Sequence, residues 1–236
     1  MIDTAAIAAP RRALLKSGLA LAGAVAIPGA ASAALRGDNA RSATRHANLA
    51  EAASTSAAPA RAITSARQVR PELMRRALTA LGRHADAVRH HDRIAVADFT
   101  APSSQARFHL IDIVSGESTS YLVAHGSGSD PSHTGWLQRF SNDPGSNASS
   151  EGAFVASDYY VGHHGRSQRL VGLDATNNNA LGRALVVHSA WYANPDMLRT
   201  HGMLGRSQGC FAVGENDLQR VFDRLGEGRM IYAAKI

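Results

Sequence analysis

The single cysteine of this chain, Cys210, stands in the run Leu204-Gly205-Arg206-Ser207-Gln208-Gly209-Cys210-Phe211-Ala212-Val213, downstream of an apolar stretch that ends in His188. Nucleophilic cysteine chemistry needs three things: a thiolate, a base or cation to generate it, and donors for the oxyanion of a tetrahedral intermediate. A free thiol titrates near ~8.5, so at neutral pH it must be helped to ionise by an imidazole or by oriented backbone dipoles. His188 closes Ala184-Leu185-Val186-Val187, and Cys210 opens a second short apolar run. If these are neighbouring strands, the imidazole reaches the sulfur. Gly209 keeps the preceding peptide accessible, which makes the Gly209 and Cys210 amides candidate oxyanion donors. Each residue also has a plainer reading. Free cysteine serves as a small buried hydrophobe, a histidine can simply bond a core carbonyl, Gly209 can serve a turn, and Ser207 can cap one. Their conjunction is what points to chemistry.

The elements that must position this pair lie between residues 92 and 236, a length ample for one compact domain with its own core. Short apolar runs separated by Gly, Asn, Asp and Ser read as strands over Ile94–Phe99, Arg107–Val114, Ser118–Ala124, Ala153–Val161, Gln168–Leu173, Ala184–His188, Cys210–Val213 and Met230–Ala234. This pattern predicts a largely antiparallel, mainly β domain. Val114-Ser115-Gly116-Glu117 reads as a hairpin turn. Two short helices are expected, from Pro195 to about His201 and from Glu215 to Leu225, the second with Leu218, Val221, Phe222 and Leu225 on its buried face. Ahead of the domain, Leu73, Met74, Ala77, Leu78, Leu81 and Val88 recur at helical spacing after Pro71, so a helix over 71–91 is expected to pack on it. No internal repeat is visible.

The N-terminal residues read as an export signal over 1–33: Arg11-Arg12, Lys16, an apolar stretch from Gly18 to Ile27, and Ala31-Ser32-Ala33 as a small-residue cleavage site. The paired arginines favour the twin-arginine route, with an ordinary secretory signal as the alternative. An apolar stretch of about ten residues is well short of the ~20 that cross a bilayer, so no stable membrane anchor is expected. Export would carry an unpaired thiol into an oxidising compartment, where it is a liability unless it is used. Residues 34–70 are rich in Ala, Ser, Thr and Arg and cannot bury enough surface to offset their ordering entropy, so they read as a flexible tether. The formal charge of +6 falls to about +4 once Arg11, Arg12, Lys16 and Asp3 are set aside. No dense basic block argues for nucleic acid, while a mildly basic surface suits adsorption to an anionic wall polymer.

His188-Ser189-Ala190 followed by Gly205-Arg206-Ser207-Gln208-Gly209-Cys210 resembles the signature of the murein L,D-transpeptidase catalytic-domain family (YkuD type). Val123-Ala124-His125-Gly126, Phe140-Ser141-Asn142-Asp143-Pro144-Gly145-Ser146-Asn147, Gly162-His163-His164-Gly165 and Arg169-Leu170-Val171-Gly172-Leu173 resemble the same family, so the likeness covers residues 92–236. It implies a β-sandwich or barrel with a few short helices. It also implies that Cys210 is the nucleophile, His188 the general base and Ser189 the neighbour that orients the base, with Ser207 and Gly209 shaping the loop under the thiol. The implied reaction is cysteine-dependent acyl transfer between peptidoglycan stem peptides. A tetrapeptide donor would lose its terminal D-alanine, and a diaminoacyl amine on a second stem would take the acyl group. The implied enzyme needs no metal or other cofactor. Nothing in the sequence suggests an obligate oligomer, so a monomer is expected, and the export signal points to the periplasm or cell wall. The common signature has histidine before the glycine, where this chain has Gln208, a change that bears on thiol acidity or acceptor choice. Arg206, Ser207, Gln208, His125 and Asn142 are the expected substrate contacts, and 141–150 is expected as a loop beside the groove.

Three rivals stay open. Eleven histidines invite a zinc reading, but His90-His91 and His163-His164 lack the spacing of a helical zinc pair. A noncatalytic wall-binding module would hold peptide without chemistry. An L,D-carboxypeptidase or amidase acting on wall-linked peptides would use the same cysteine and histidine.

Overall fold

The computed structural model describes residues 69–236. The expected export signal (1–33) and residues 34–68 of the expected tether lie outside the described residues. The tether's last two residues are already part of the fold: Val69 is buried and Arg70 pairs with Asp98 at 3.2 Å.

Helix α1 spans Pro71–Arg83, with proline at its start, where no amide partner is lost. Its face of Leu73, Met74, Ala77, Ala80 and Leu81 is buried. The expected helix over 71–91 stops eight residues early. His84 leaves helical geometry (φ −108°, ψ 23°), and its ring joins Arg83 on Asp174, at 2.8 and 2.9 Å. The same carboxylate accepts from the Ala153 amide at 2.7 Å, so the bend clasps the helix end to the domain.

The strands are β1 (Arg93–Asp98), β2 (Phe108–Asp112), β3 (Ser118–Tyr121), β4 (Gly152–Gly162), β5 (Gly165–Gly172), β6 (Val186–Ser189), β7 (Phe211–Val213) and β8 (Met230–Ala234). They form one sheet in the order β3-β2-β1-β8-β4-β5-β6-β7. Beyond β3 the chain returns to the other edge, where the Ala124 amide donates to the Ala212 carbonyl at 2.8 Å, so the two edges of the sheet meet. Closure of this kind leaves little unpaired edge. Short helices α2 (Asp196–His201) and α3 (Leu218–Leu225) follow β6 and β7. The mainly β architecture with a few short helices is as the sequence predicts.

The strands read as continuous apolar runs because both faces of the sheet are covered. Ala95, Ala97, Phe108, Phe154 and Phe211 face an inner core closed by Val221, Phe222 and Leu225 of α3. Ile94, Val96, Ile111, Ala153 and Met230 face α1. Three aromatic rings, Phe99, Phe108 and Phe154, surround Phe211 at 5.6 to 6.3 Å between centroids, so the residue after Cys210 is firmly anchored in the core.

The pairing is largely antiparallel, as expected, with two parallel exceptions. β1 with β8 and β6 with β7 run parallel, while the other five pairs are antiparallel. α3 (Leu218–Leu225) begins three residues later than read, and β6 (Val186–Ser189) two residues later. Ala184 has φ +53°, a left-handed turn that cannot continue into a strand.

Candidate active site

The parallel pairing of β6 and β7 sets Val187 against Phe211, His188 against Ala212 and Ser189 against Val213. Side chains alternate along a strand. Val187, Phe211 and Val213 fill the inner core, which sends Val186, His188, Cys210 and Ala212 to the opposite face. His188 and Cys210 both line one cavity of about 690 Å³, together with Asn147, Tyr160, His163, His164, Arg183, Tyr192, Arg206, Ser207 and Gln208. Among the described residues no Asp or Glu lines it.

The His188 ring is fixed by its own strand end: Nδ1–H donates to the Ser189 carbonyl at 2.9 Å. That bond selects one tautomer and leaves Nε2 as the acceptor. The expected role of Ser189 in orienting the base therefore falls to its backbone oxygen. Burial holds the imidazole down to about 4, against the opposing pull of the Ser189 carbonyl, and His164 lowers it further. The His164 ring lies parallel to that of His188, with centroids 4.3 Å apart and planes at 21°.

Cys210 is 8% exposed, and its thiol points at the Ala184 carbonyl at 3.7 Å. Burial pushes the thiol up, and the Val186 amide and the Arg183 charge pull the other way. With the base held neutral and the thiol held protonated, both members of the pair rest uncharged at neutral pH. A thiolate here would have to be formed by proton transfer, since neither group rests charged.

The loop under the thiol is tightly bonded. Ser207 donates from its hydroxyl to the Cys210 carbonyl at 2.7 Å and accepts from the Gly209 amide at 3.1 Å. The Gly209 N–H, an expected oxyanion donor, is thus already engaged and serves only if Ser207 yields it. Gly209 sits at φ +112°, and an added Cβ would come within 2.7 Å of the Ala148 carbonyl and 2.9 Å of a Leu185 methyl. Gly209→Ala is therefore expected to cost about 1–3 kcal/mol and to displace either the Ala148 wall or the Cys210 backbone. The check is a melting temperature measured beside turnover, with turnover falling further than stability accounts for.

The expected substrate contacts divide. Arg206, Ser207 and Gln208 are at the cavity, with Arg206 anchored on the carbonyls of Asp130 and Pro131 and Gln208 exposed. His125 is not at the cavity. It is 1% exposed, with Nδ1 taking a bond from the buried Arg107 at 2.7 Å and Nε2 lying 3.5 Å from Asp130 Oδ2. Asn142 also lies elsewhere, in a shallow depression with Phe140 and Glu151, where it bonds Asn178 at 2.6 Å and the Ala175 carbonyl at 3.1 Å. Its loop does reach the site, since Pro144, Gly145 and Asn147 form one wall. Arg183, Tyr160 and Tyr192 are cavity residues that sequence reasoning missed. None belongs to a recognisable spacing pattern. The only signal was Arg183 in the run leading to His188.

Buried neutral histidines also make the fold acid-sensitive. Burial, helped by the neighbouring Arg107 charge, depresses His125 from 6.5 to about 3. Between those values the unfolded chain binds a proton that the folded chain refuses, so stability is full above about 6.5 and is lost as pH falls toward 3. His188 adds the same effect between 6.5 and about 4. The melting temperature is expected to fall steadily from pH 7 to pH 4, and a level profile there would contradict this assignment.

Among the described residues no group of three or more His, Cys, Asp or Glu side chains is arranged to hold a metal ion, and no helix is long and apolar enough to cross a membrane.

The sequence profile of the L,D-transpeptidase catalytic domain matches residues 65–234. Among solved structures, the chain is similar to an L,D-transpeptidase from Mycobacterium smegmatis at 16% identity, covering 61% of this chain and 58% of that one with a TM-score of 0.37. It is similar to an L,D-transpeptidase from Stackebrandtia nassauensis at 12% identity, covering 70% and 65% with a TM-score of 0.38. L,D-transpeptidase 3 from Mycobacterium tuberculosis is similar at 16% identity, covering 61% of each chain with a TM-score of 0.35. The chain thus spans less than two thirds of the length of these structures. No curated protein matches it.

Proposed function

This chain belongs to the L,D-transpeptidase catalytic domain family, and we propose that it is a cysteine-dependent acyltransferase acting on peptidoglycan stem peptides, with Cys210 as nucleophile and His188 as base. The observation that carries this reading is the placement of His188 on β6 and of Cys210 immediately before its parallel neighbour β7, both at one cavity, with the accepting nitrogen of His188 left free of partners among the described residues.

The reaction proceeds in two halves. His188 Nε2 takes the thiol proton, and the sulfur attacks the carbonyl at the L-centre of the third residue of a tetrapeptide stem. The tetrahedral intermediate collapses by breaking the bond to the D-alanine nitrogen. His188 returns its proton to that nitrogen, D-alanine leaves, and a thioester remains on Cys210. In the second half an amine on another stem, the side chain of a diaminoacyl residue, gives a proton to His188 and attacks the thioester. The sulfur departs as thiolate and recovers the proton, and an amide joins the two third-position residues. The Ser189 carbonyl keeps the same ring nitrogen in play throughout, because Nδ1 stays bonded as a donor while Nε2 cycles. Oxyanion stabilisation needs backbone donors, and the Gly209 amide contributes to it when Ser207 releases it. The protein acts after export, in the periplasm or at the wall, as a monomer.

Gln208, exposed where the common signature has histidine, bears on acceptor choice, with water the alternative to a second stem. Incubation with purified disaccharide-tetrapeptide separates the outcomes. D-alanine release with a cross-linked dimer by mass supports transpeptidation. Release with a tripeptide monomer makes the protein an L,D-carboxypeptidase. No release from folded protein removes the transpeptidase reading and favours wall binding or an amidase with a different substrate.

A further inference from the structure

Among the described residues Arg183 has no carboxylate within ion-pairing distance, although it is half-buried and lines the cavity beside Cys210. Its hydrogen bonds go instead to neutral oxygens of one segment. One terminal nitrogen donates to the Ser141 carbonyl at 2.8 Å and the Ser150 hydroxyl at 2.6 Å. The other donates to the Ser146 hydroxyl at 3.1 Å and the Ala148 carbonyl at 2.5 Å. Four donors of one planar guanidinium thus tie the 141–150 segment, whose Pro144, Gly145 and Asn147 form a wall of the cavity. The Ala148 carbonyl it holds is the atom packed against Gly209, immediately before the cysteine. The residue next to it, Ala184, supplies the carbonyl under the thiol.

We propose that Arg183 is a positioning residue of this site, fastening the 141–150 wall against the Gly209-Cys210 peptide and supplying the fixed positive charge that the Cys210 thiolate requires. The inference rests on the acyl-transfer reading of the same pair. The structure separates two influences. Arg183 acts on Cys210, whose burial otherwise favours the neutral thiol, and it is not among the groups that shift His188. His164 acts on His188 and not on the sulfur. A cation so placed stabilises the thiolate, which is the direction catalysis needs. The groups facing Cys210 are Arg183 from the turn before β6, His188 on β6, and Tyr192, whose phenol is pushed up to about 12 by burial and by the sulfur's charge. Arg206 also lines the cavity with a permanent charge, but its guanidinium is anchored on the Asp130 and Pro131 carbonyls, and of the two only Arg183 acts on the sulfur. Asp143 is the acid that acts on Arg183, from beyond ion-pairing distance.

The test measures the pH dependence of Cys210 alkylation by iodoacetamide in the full chain, Arg183→Lys and Arg183→Gln, with Cys210→Ala as the blank. Below the thiol midpoint each unit of displacement changes the rate about tenfold. Arg183→Gln is expected to raise the midpoint by about one unit and slow alkylation at pH 7 about tenfold. Arg183→Lys keeps the charge but cannot make the four planar bonds. Its midpoint should stay near that of the parent, while its KM for the tetrapeptide rises and the 141–150 segment becomes open to limited proteolysis. An unchanged midpoint in folded Arg183→Gln overturns the electrostatic role, and an unchanged KM and proteolysis pattern in Arg183→Lys overturns the clamp. Should Arg183→Gln fail to fold, the midpoint of Arg183→Lys decides alone: a rise of about one unit overturns the inference, because the charge is retained there. Alkylation needs no stem peptide, so a protein that alkylates as expected yet releases no D-alanine loses the proposed reaction and keeps this inference.

Discussion

Cys210→Ala is expected to abolish D-alanine release, a fall of at least about 10⁴-fold, the scale on which removing a covalent nucleophile acts even when the rest of a site survives. The loss should come with little change in stability. The side chain has only weak sulfur contacts, with the Ala184 carbonyl at 3.7 Å and the Val186 amide, and the packing of this segment rests on Phe211 and not on the sulfur. A melting curve should therefore stay within about 1 kcal/mol of the parent. Cys210→Ser should be nearly as inactive, because a hydroxyl beside a base held near 4 has no comparable tendency to ionise. Mass spectrometry on the parent protein, stopped during turnover, should find the tripeptide acyl group on the Cys210 peptide and on no other. Measurable D-alanine release by Cys210→Ala would exclude the thioester route.

The sequence made the strands legible because burial on both faces turns them into short apolar runs with polar gaps. Met230–Ala234 has the bounds expected of it, and the helix after Pro71 starts where proline puts it. What periodicity cannot supply is which strand lies beside which. The parallel pairing of β6 with β7 depends on the segment between them, including α2, crossing over instead of turning back, and no local residue pattern encodes that choice. The end of α1 was hidden for a similar reason. Residues 84–91 stay compatible with helix, and what ends it is Asp174, 90 positions away from His84.

In the site, residue type identified Cys210 and His188, and spacing brought them near each other, but neither gives the direction of a ring or the use of a hydroxyl. His125 sits in a stretch rich in family-like residues, yet its ring turns inward to Arg107 because the buried guanidinium needs an acceptor there. Asn142 belongs to the loop that walls the cavity, but its amide is consumed by Asn178, Ala175 and Asn179, which hold the loop's far side. Arg183 was passed over because an isolated arginine between Gly182 and Ala184 has no motif, and its partners are oxygens 33 to 42 positions distant. Functional groups that act through backbone oxygens leave no residue-type signature at the other end of the bond.

His188→Ala should lower kcat by about 10²–10⁴-fold, the range for a positioned proton carrier, with a smaller change in KM. In the proposed reaction the imidazole moves protons, and it does not form the cavity's walls by itself. The pH profile gives the sharper outcome. A base must be neutral to accept the thiol proton, and burial holds His188 neutral down to about 4. The acid limb of kcat/KM in the parent protein should therefore lie near 4 and not near the ordinary 6.5 of histidine, with activity lost as pH falls through that value. At the alkaline side the raised thiol leaves the rate still climbing above neutrality, since thiolate gains on thiol there without the help of the base. Removing His188 should erase the acid limb while leaving the alkaline rise, because hydroxide then replaces the imidazole. An acid limb near 6.5 in the parent would mean that His188 is solvated in the working enzyme and that the stack with His164, at 4.3 Å, opens before substrate binds. Persistence of the same limb in His188→Ala would assign the proton transfer to another group, with His164 the first to replace in turn.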